Sequence, residues 1–159
     1  MDEILNVILK DTYTLPQLKH RLRILKSYVE QSLFARTTAQ PLDQPDLDWL
    51  KSLPADFYQK FTEESAMGIF AKIEQDLAKL TILTLHLPFE ASETVYSQIG
   101  IFSRKAFGQR NLILDIKYDP SLIAGCALSW KGIYKDYSLK ARITEKKPDI
   151  LQSISKYLK

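Results

Sequence analysis

The apolar residues of this 159-residue chain change their spacing near residue 79, and this change restricts the fold more than any other feature. Before it, apolar side chains recur every three or four residues, the spacing of one face of an α-helix. After it, residues 79–86 alternate apolar with polar side chains and are rich in β-branched residues, which is typical of a strand. The sequence therefore predicts an α+β protein, with an all-helical bundle over residues 1–78 and a small α+β domain over residues 79–159.

The strongest helix signal in the first half lies at residues 14–33. Thr14 can cap this helix, Gln17 can reach back to complete a capping box, and Pro16 is tolerated in a first turn. Further helices are predicted at 2–11, 46–53, 55–62 and 63–78. The side chains expected to fill the bundle core are Leu15, Leu18, Leu22, Leu25, Val29, Leu33, Trp49, Phe57, Tyr58, Phe61, Met67, Phe70, Ile73 and Leu77.

The second half predicts the element order β-α-β-β-β-α. Ser92 can cap its first helix and Gly108 can end it, while Lys131-Gly132 suits a two-residue hairpin turn. Ser138 can cap a final helix, which Pro148 is expected to interrupt or restart. The strands are predicted at 79–86, 111–118, 126–130 and 133–135, and the residues expected on the inner face of the first helix are Val95, Ile99, Phe102 and Ala106.

Composition places the chain among ordinary globular proteins and shows an uneven distribution of charge. The longest apolar stretch, at 80–89, is far shorter than a membrane span. The acidic start of the chain, Met1-Asp2-Glu3, predicts no targeting peptide. The first 78 residues hold nine Lys/Arg and 12 Asp/Glu, whereas the remainder hold 13 and seven. The second half is therefore expected to meet an acidic partner or surface, or simply to present a solvated lysine-rich face.

No constellation of residues in the sequence indicates catalysis, a metal site or a cofactor. The two histidines are isolated, the single cysteine has no histidine near it in sequence, and the scattered glycines form no phosphate-binding loop. Asp119 precedes a proline and Asp136 lies two residues before a capping serine, so turn formation is a sufficient explanation for both. We therefore expect a non-enzymatic interaction protein.

Two short segments of the second half carry a family resemblance. The first runs Asp119-Pro120-Ser121-Leu122-Ile123-Ala124-Gly125, and the second has Asp136 and Ser138 opening a helix that continues through Leu139, Arg142 and Ile143. Together with the preceding strand–helix–strand, these segments resemble the C-terminal region of the F-type ATP synthase delta subunit, the oligomycin-sensitivity-conferring protein of mitochondria. The resemblance covers about 80 residues, half of the chain, and its structural signature residues are Asp119, Ser121, Ala124, Gly125, Asp136, Ser138 and Arg142.

The resemblance implies a peripheral-stalk, or stator, subunit that performs no chemistry and needs no cofactor. In that family the helical domain holds N-terminal segments of the alpha subunits, and the C-terminal domain holds the C-terminal helices of the b subunits. The subunit resists rotor torque during proton-coupled ATP synthesis. By this resemblance the chain would lie at the cytoplasmic face of a bacterial-type plasma membrane, attached only through the complex and without nucleic acid. The candidate partner-binding residues are Ile150, Leu151, Ile154 and Leu158.

The chain also departs from the family pattern at several places. Tyr137 replaces a glycine between Asp136 and Ser138, which predicts a different or strained backbone at that turn. Pro148 falls inside what is usually a continuous helix. The first half is also about 25 residues shorter than the family's six-helix domain and lacks its Tyr-Ala motif.

A small, basic nucleic-acid-associated protein is the alternative reading of the same sequence. Its phosphate contacts would come from lysines and arginines on the second helix and along the second half of the chain. These candidates are Lys19, Arg21, Arg23, Lys26, Lys131, Lys135, Lys140, Lys146 and Lys147.

Overall fold

The computed structural model describes residues 3–34 and 42–157 and has the α+β architecture that the sequence predicts. Seven α-helices and a four-stranded sheet lie within these residues, with helices at both ends. Their bounds are α1 (Glu3–Lys10), α2 (Leu15–Phe34), α3 (Gln44–Ser52), α4 (Ala55–Gln59), α5 (Ala66–Leu77), β1 (Ile82–Leu87), α6 (Glu93–Phe107), β2 (Ile113–Tyr118), β3 (Ala127–Trp130), β4 (Ile133–Asp136) and α7 (Leu139–Tyr157).

Helices α1 to α5 enclose one apolar core. The stripe on α2 lies inside as predicted, with Leu18, Leu25 and Val29 buried. The predicted capping box also forms in part: Gln17 N–H donates to Thr14 Oγ1 over 3.4 Å, and Gln17 Oε1 accepts from the N–H of Tyr13 over 3.0 Å. Among the aromatics expected in the core, Phe57, Phe61 and Phe70 are buried, whereas Trp49 and Tyr58 are half-buried at its margin.

The strands lie in the order β2-β1-β3-β4. β1 and β2 are parallel and joined by the crossover helix α6, whereas β3 and β4 form an antiparallel hairpin that turns at Lys131-Gly132 as predicted. Leu83 of β1 and Leu114 of β2 form a second, smaller core, against which Ile99 and Phe107 of α6 pack. The sheet is thus covered by α6 on one face.

Three features of the helices differ from the sequence predictions. Met67 is 65% exposed because the small Ala66, one residue earlier, takes the buried position below Phe70. Phe102 is 72% exposed, and Ala106 is also exposed, because α6 packs through other residues, including the buried Gly100 and Ser103. The final helix is also continuous through Pro148. Since α7 is in solvent there, water can satisfy the carbonyl that a proline leaves without its helical donor.

The helical part contacts the sheet through the short segment between α1 and α2. Tyr13 O accepts from the N–H of Leu114 over 2.8 Å, and Thr14 forms a parallel bridge with Leu114 along the outer edge of β2. Ile113 of β2 and Leu80 also belong to the helical core. The predicted boundary after residue 78 falls between α5 and β1. The division of the chain into two domains at this point stays a prediction.

Arg104 of α6 adds side-chain bonds across the same junction. Its Nη2 donates to Thr12 O over 2.5 Å, its Nη1 to Lys10 O over 3.2 Å, and its Nε to Leu112 O over 3.1 Å. The guanidinium lies 4.7 Å from the centre of the Tyr13 ring, and burial lowers the Arg104 pKa. One side chain therefore satisfies main-chain acceptors on both sides of the junction.

Candidate protein-binding surface

The first signature segment begins with a compact double turn. Asp119 Oδ1 accepts from the N–H of Ser121 over 3.0 Å and so caps the 3₁₀ turn Pro120–Leu122. Ile123 follows with φ 68° and ψ −57°, and the N–H of Ala124 donates to Leu122 O over 2.8 Å. This geometry is the rarer, strained form of γ-turn, which a β-branched residue seldom adopts. The segment therefore reverses direction within about six residues.

Gly125 completes this reversal and brings the first segment against the second. Its φ is +84°, and a Cβ built on it would lie 2.5 Å from Tyr137 O. Only glycine combines that backbone conformation with so close an approach. Leu139 N–H donates to Ala124 O over 2.8 Å, and Tyr137 N–H donates to Cys126 O over 2.9 Å. The two segments that carry the resemblance are thus in direct main-chain contact.

The second segment starts α7 through two local hydrogen bonds. Asp136 Oδ1 accepts from the N–H of Ser138 over 2.8 Å, and Ser138 Oγ accepts from the N–H of Ala141 over 3.1 Å. Ser138 is fully buried, so the capping role predicted from the sequence is confirmed. Arg142 contributes its backbone N–H to the first turn, where it donates to Ser138 O over 3.3 Å, and its side chain is exposed.

Tyr137 sits at this turn without the backbone strain that its replacement of glycine predicted. Within residues 3–34 and 42–157 the non-glycine residues with positive φ are Ile123 and Lys131, so Tyr137 does not adopt the left-handed conformation. Its side chain is half exposed. The strain at this site is instead carried by Ile123, on the opposite segment.

An open groove of about 570 Å³ runs between the signature segments and the start of α7. Asp119, Asp136 and Tyr134 line one part of it, and Lys140 and Glu145 line the helix side. Hydrogen bonds from Ser121 lower the pKa of Asp119, and the bond from the serine side chain has a larger effect than the bond from its N–H. Hydrogen bonds from Ser138 lower the pKa of Asp136 in the same way. Both carboxylates therefore support turns, as the sequence predicted.

The described part of the chain contains no cluster of three or more His, Cys, Asp or Glu side chains that could hold a metal ion. Likewise, none of the helices described is long and apolar enough to cross a membrane.

Beyond its first turn α7 leaves the body of the protein. All described side chains from Arg142 to Lys156 are exposed. The candidate partner-binding residues Ile150, Leu151 and Ile154 are 46%, 55% and 50% exposed, and Leu158 lies outside the described residues. Residues 3–34 and 42–157 thus leave this apolar helix surface uncovered.

The same surface extends further toward the start of α7 than the predicted partner-binding residues. Leu139 is 41% exposed and Ile143 is 45% exposed, and their spacing from Ile150 places them on the same side of the helix. Both residues carry part of the family resemblance, but neither is among the partner-binding residues predicted from the sequence. Their spacing was the signal that could have found them: Ile143 lies seven residues, about two helical turns, before Ile150, and Leu139 lies four residues before Ile143.

Three of the four cations proposed for nucleic-acid binding on α2, Arg21, Arg23 and Lys26, have partners within the fold. Arg21 donates to Asp11 O and Thr12 Oγ1, each over 2.8 Å, and lies 5.0 Å from the centre of the Trp49 ring. Burial lowers the Arg21 pKa. Arg23 bonds the His20 ring over 3.2 Å, and the Lys26 ammonium lies 6.0 Å from the Phe70 ring centre. These contacts give the cations structural roles.

No known protein-family model matches the chain, and no curated protein matches it significantly.

Proposed function

We propose that this protein is a non-catalytic peripheral-stalk subunit of a rotary F-type ATP synthase, linking the catalytic head to the b-subunit stalk. The observation that carries the proposal is the contact between the two signature segments, Asp119–Gly125 and Asp136–Leu139, which ends directly in α7. The residues of the resemblance thus form one structural unit, and that unit places an uncovered apolar helix in solvent.

A stator joint needs two attachment regions and a connection that carries load between them. In this proposal the helical part binds N-terminal segments of alpha subunits, and α7 binds the C-terminal helices of b subunits. Arg104 and the Tyr13–Leu114 hydrogen bond connect the two regions through main-chain groups. A load applied to α7 would pass through the sheet to the helical core without a chemical step.

Truncation is the direct test of the stalk contact. We expect the intact protein to co-purify with both alpha and b subunits, whereas a chain ending at Lys147 should lose the b subunits and retain the alpha subunits. The truncation removes Ile150, Leu151 and Ile154, the exposed apolar residues beyond Pro148. Proton-driven ATP synthesis should fall together with b-subunit retention, because an unanchored head turns with the rotor.

Two full-length variants distinguish the loss of a specific contact from unfolding caused by truncation. Ile150→Asn with Ile154→Asn should reproduce the loss of the b subunits, while Gln152→Asn, on another side of the same helix, should not. The proposal is wrong if neither b nor alpha subunits bind the intact protein, or if the truncated chain still supports coupled ATP synthesis.

Duplex DNA provides the counter-test for the alternative function. Nucleic-acid binding through the lysines of the second half would weaken steeply with salt, with a log–log slope of about −0.9 per phosphate contacted. We expect no such retention on DNA near physiological salt. Strong salt-dependent retention, together with no binding to synthase subunits, would favour the nucleic-acid reading.

A further inference from the structure

We infer that α7 carries a seam for a single amphipathic helix whose apolar stripe is flanked by Asp or Glu. The inference gives the chemistry of the partner and rests on the proposed function for treating α7 as a partner-binding helix. It is drawn from three properties of α7: the width of its apolar stripe, the charges beside that stripe, and the absence of any cover over it among the described residues.

Four apolar residues of α7 form a narrow stripe. At about 100° per residue, Leu139, Ile143, Ile150 and Ile154 fall within about 60° of one another around the helix axis, whereas the exposed Leu151 lies outside the stripe, about 60° beyond Ile154. Between 41% and 50% of each of these side chains is exposed. A stripe this narrow resembles the seam between paired helices, whereas a helix that packs on a broad surface typically carries an apolar face of 100° or more.

The charges beside the stripe have one sign. Lys146 and Lys147 lie about 50° to either side of the stripe centre, one on each side, by the same helical geometry. Glu145 and Asp149 lie more than about 100° from that centre. Ile150 and Ile154 also line a shallow groove of about 420 Å³, together with Lys146, Asp149 and Ser153. A helix seated on the stripe would therefore meet cations on both flanks.

Charge complementarity selects the occupant. Carboxylates on the partner beside its own apolar stripe would pair with Lys146 and Lys147, as charges beside a helical seam do in coiled coils. A second copy of α7 would instead bring lysines toward lysines, which is unfavourable. An anionic lipid surface would suit the lysines but favours a broad apolar face with aromatic anchors, and the stripe contains only leucine and isoleucine among its described residues.

Two synthetic helical peptides can test this inference. Both carry the same leucine seam, one flanked by glutamates and the other by lysines, and binding to the full chain is followed by fluorescence anisotropy at low salt. We expect the glutamate-flanked peptide to bind at least tenfold more tightly. Lys146→Glu with Lys147→Glu should reverse that preference, because the flanks then carry the opposite charge.

The matched control changes the overall charge equally but away from the seam. Lys135→Glu with Lys156→Glu alters one lysine on β4 and one on another side of α7, and it should keep the preference for the glutamate-flanked peptide. Ile150→Asn with Ile154→Asn should abolish binding of both peptides, with unfolding midpoints confirming that each variant folds. Equal affinity for the two peptides, or an unchanged preference after reversal at Lys146 and Lys147, would overturn the inference.

Two further measurements cover the other occupants. The inference would also be overturned if the chain dimerised in a concentration-dependent way and Ile150→Asn with Ile154→Asn removed the dimer. Binding to vesicles that contain phosphatidylserine would overturn it too, if the same pair of substitutions removed that binding. Failure of the proposed function gives a different result: the charge preference for peptides would persist while b and alpha subunits failed to co-purify.

Discussion

At Gly125 a single hydrogen in place of a side chain allows the two signature segments to meet. We expect Gly125→Ala to lower the free energy of unfolding by more than about 1 kcal/mol, since a methyl group would meet Tyr137 O at a backbone conformation that alanine disfavours. Urea denaturation followed by circular dichroism measures the effect. Gly68→Ala, in α5 with open space around it, is the control and should raise stability by up to about 1 kcal/mol.

Asp119 and Asp136 give the fold a predictable sensitivity to acid. Their pKa values are lowered in the folded state from an ordinary 3.8, so ionisation of both carboxylates stabilises the fold above that pH. This contribution to stability is lost as the pH falls below 3.8 and passes through the lowered pKa values that the two carboxylates have in the folded state. In urea denaturation across this range, Asp119→Asn with Asp136→Asn should show a shallower loss of stability in acid. An unchanged pH profile would contradict this assignment.

Helix α7 is expected to behave as an element that opens without the rest of the molecule. Pro148 removes a helix hydrogen bond in a region where every described side chain is exposed. We expect Pro148→Ala to slow amide exchange within α7, since proline in a helix interior costs about 3 kcal/mol relative to alanine. The urea midpoint of the core should remain the same. A clear rise in that midpoint would mean that α7 unfolds together with the core.

For the whole molecule, Arg104 is expected to connect the stability of the helical part with that of the sheet. Arg104→Ala leaves the part-buried carbonyls of Thr12 and Leu112 without this donor, and an unsatisfied buried acceptor costs about 1–3 kcal/mol, whereas the exposed Lys10 carbonyl can bond water. We expect the free energy of unfolding of the variant to be lower by about 2–4 kcal/mol, and amide exchange to be faster on both sides of the junction. Lys105→Ala, at the exposed neighbouring position, should change stability by less than about 0.5 kcal/mol.

The sequence by itself determined the features that depend on near neighbours. The Ser138 cap, the Gly108 helix end and the Lys131-Gly132 hairpin are present as predicted, and the Thr14–Gln17 capping box is present in part. Each depends on the chemistry of residues within about four positions, which a sequence displays directly. The signature residues of the candidate surface were identified for the same reason, since each segment is short and local.

Only the tertiary structure decided which faces are buried and which distant residues meet. Met67 and Phe102 have helical spacing that suits the core, yet small neighbours pack there instead, and Tyr13 occupies the space beside Gly100. The contact of Gly125 with Tyr137 and the bonds of Arg104 to Lys10 and Thr12 join residues separated by 12 to 94 positions in the chain. Such contacts depend on the path of the whole backbone, so periodicity and capping rules hold no information about them.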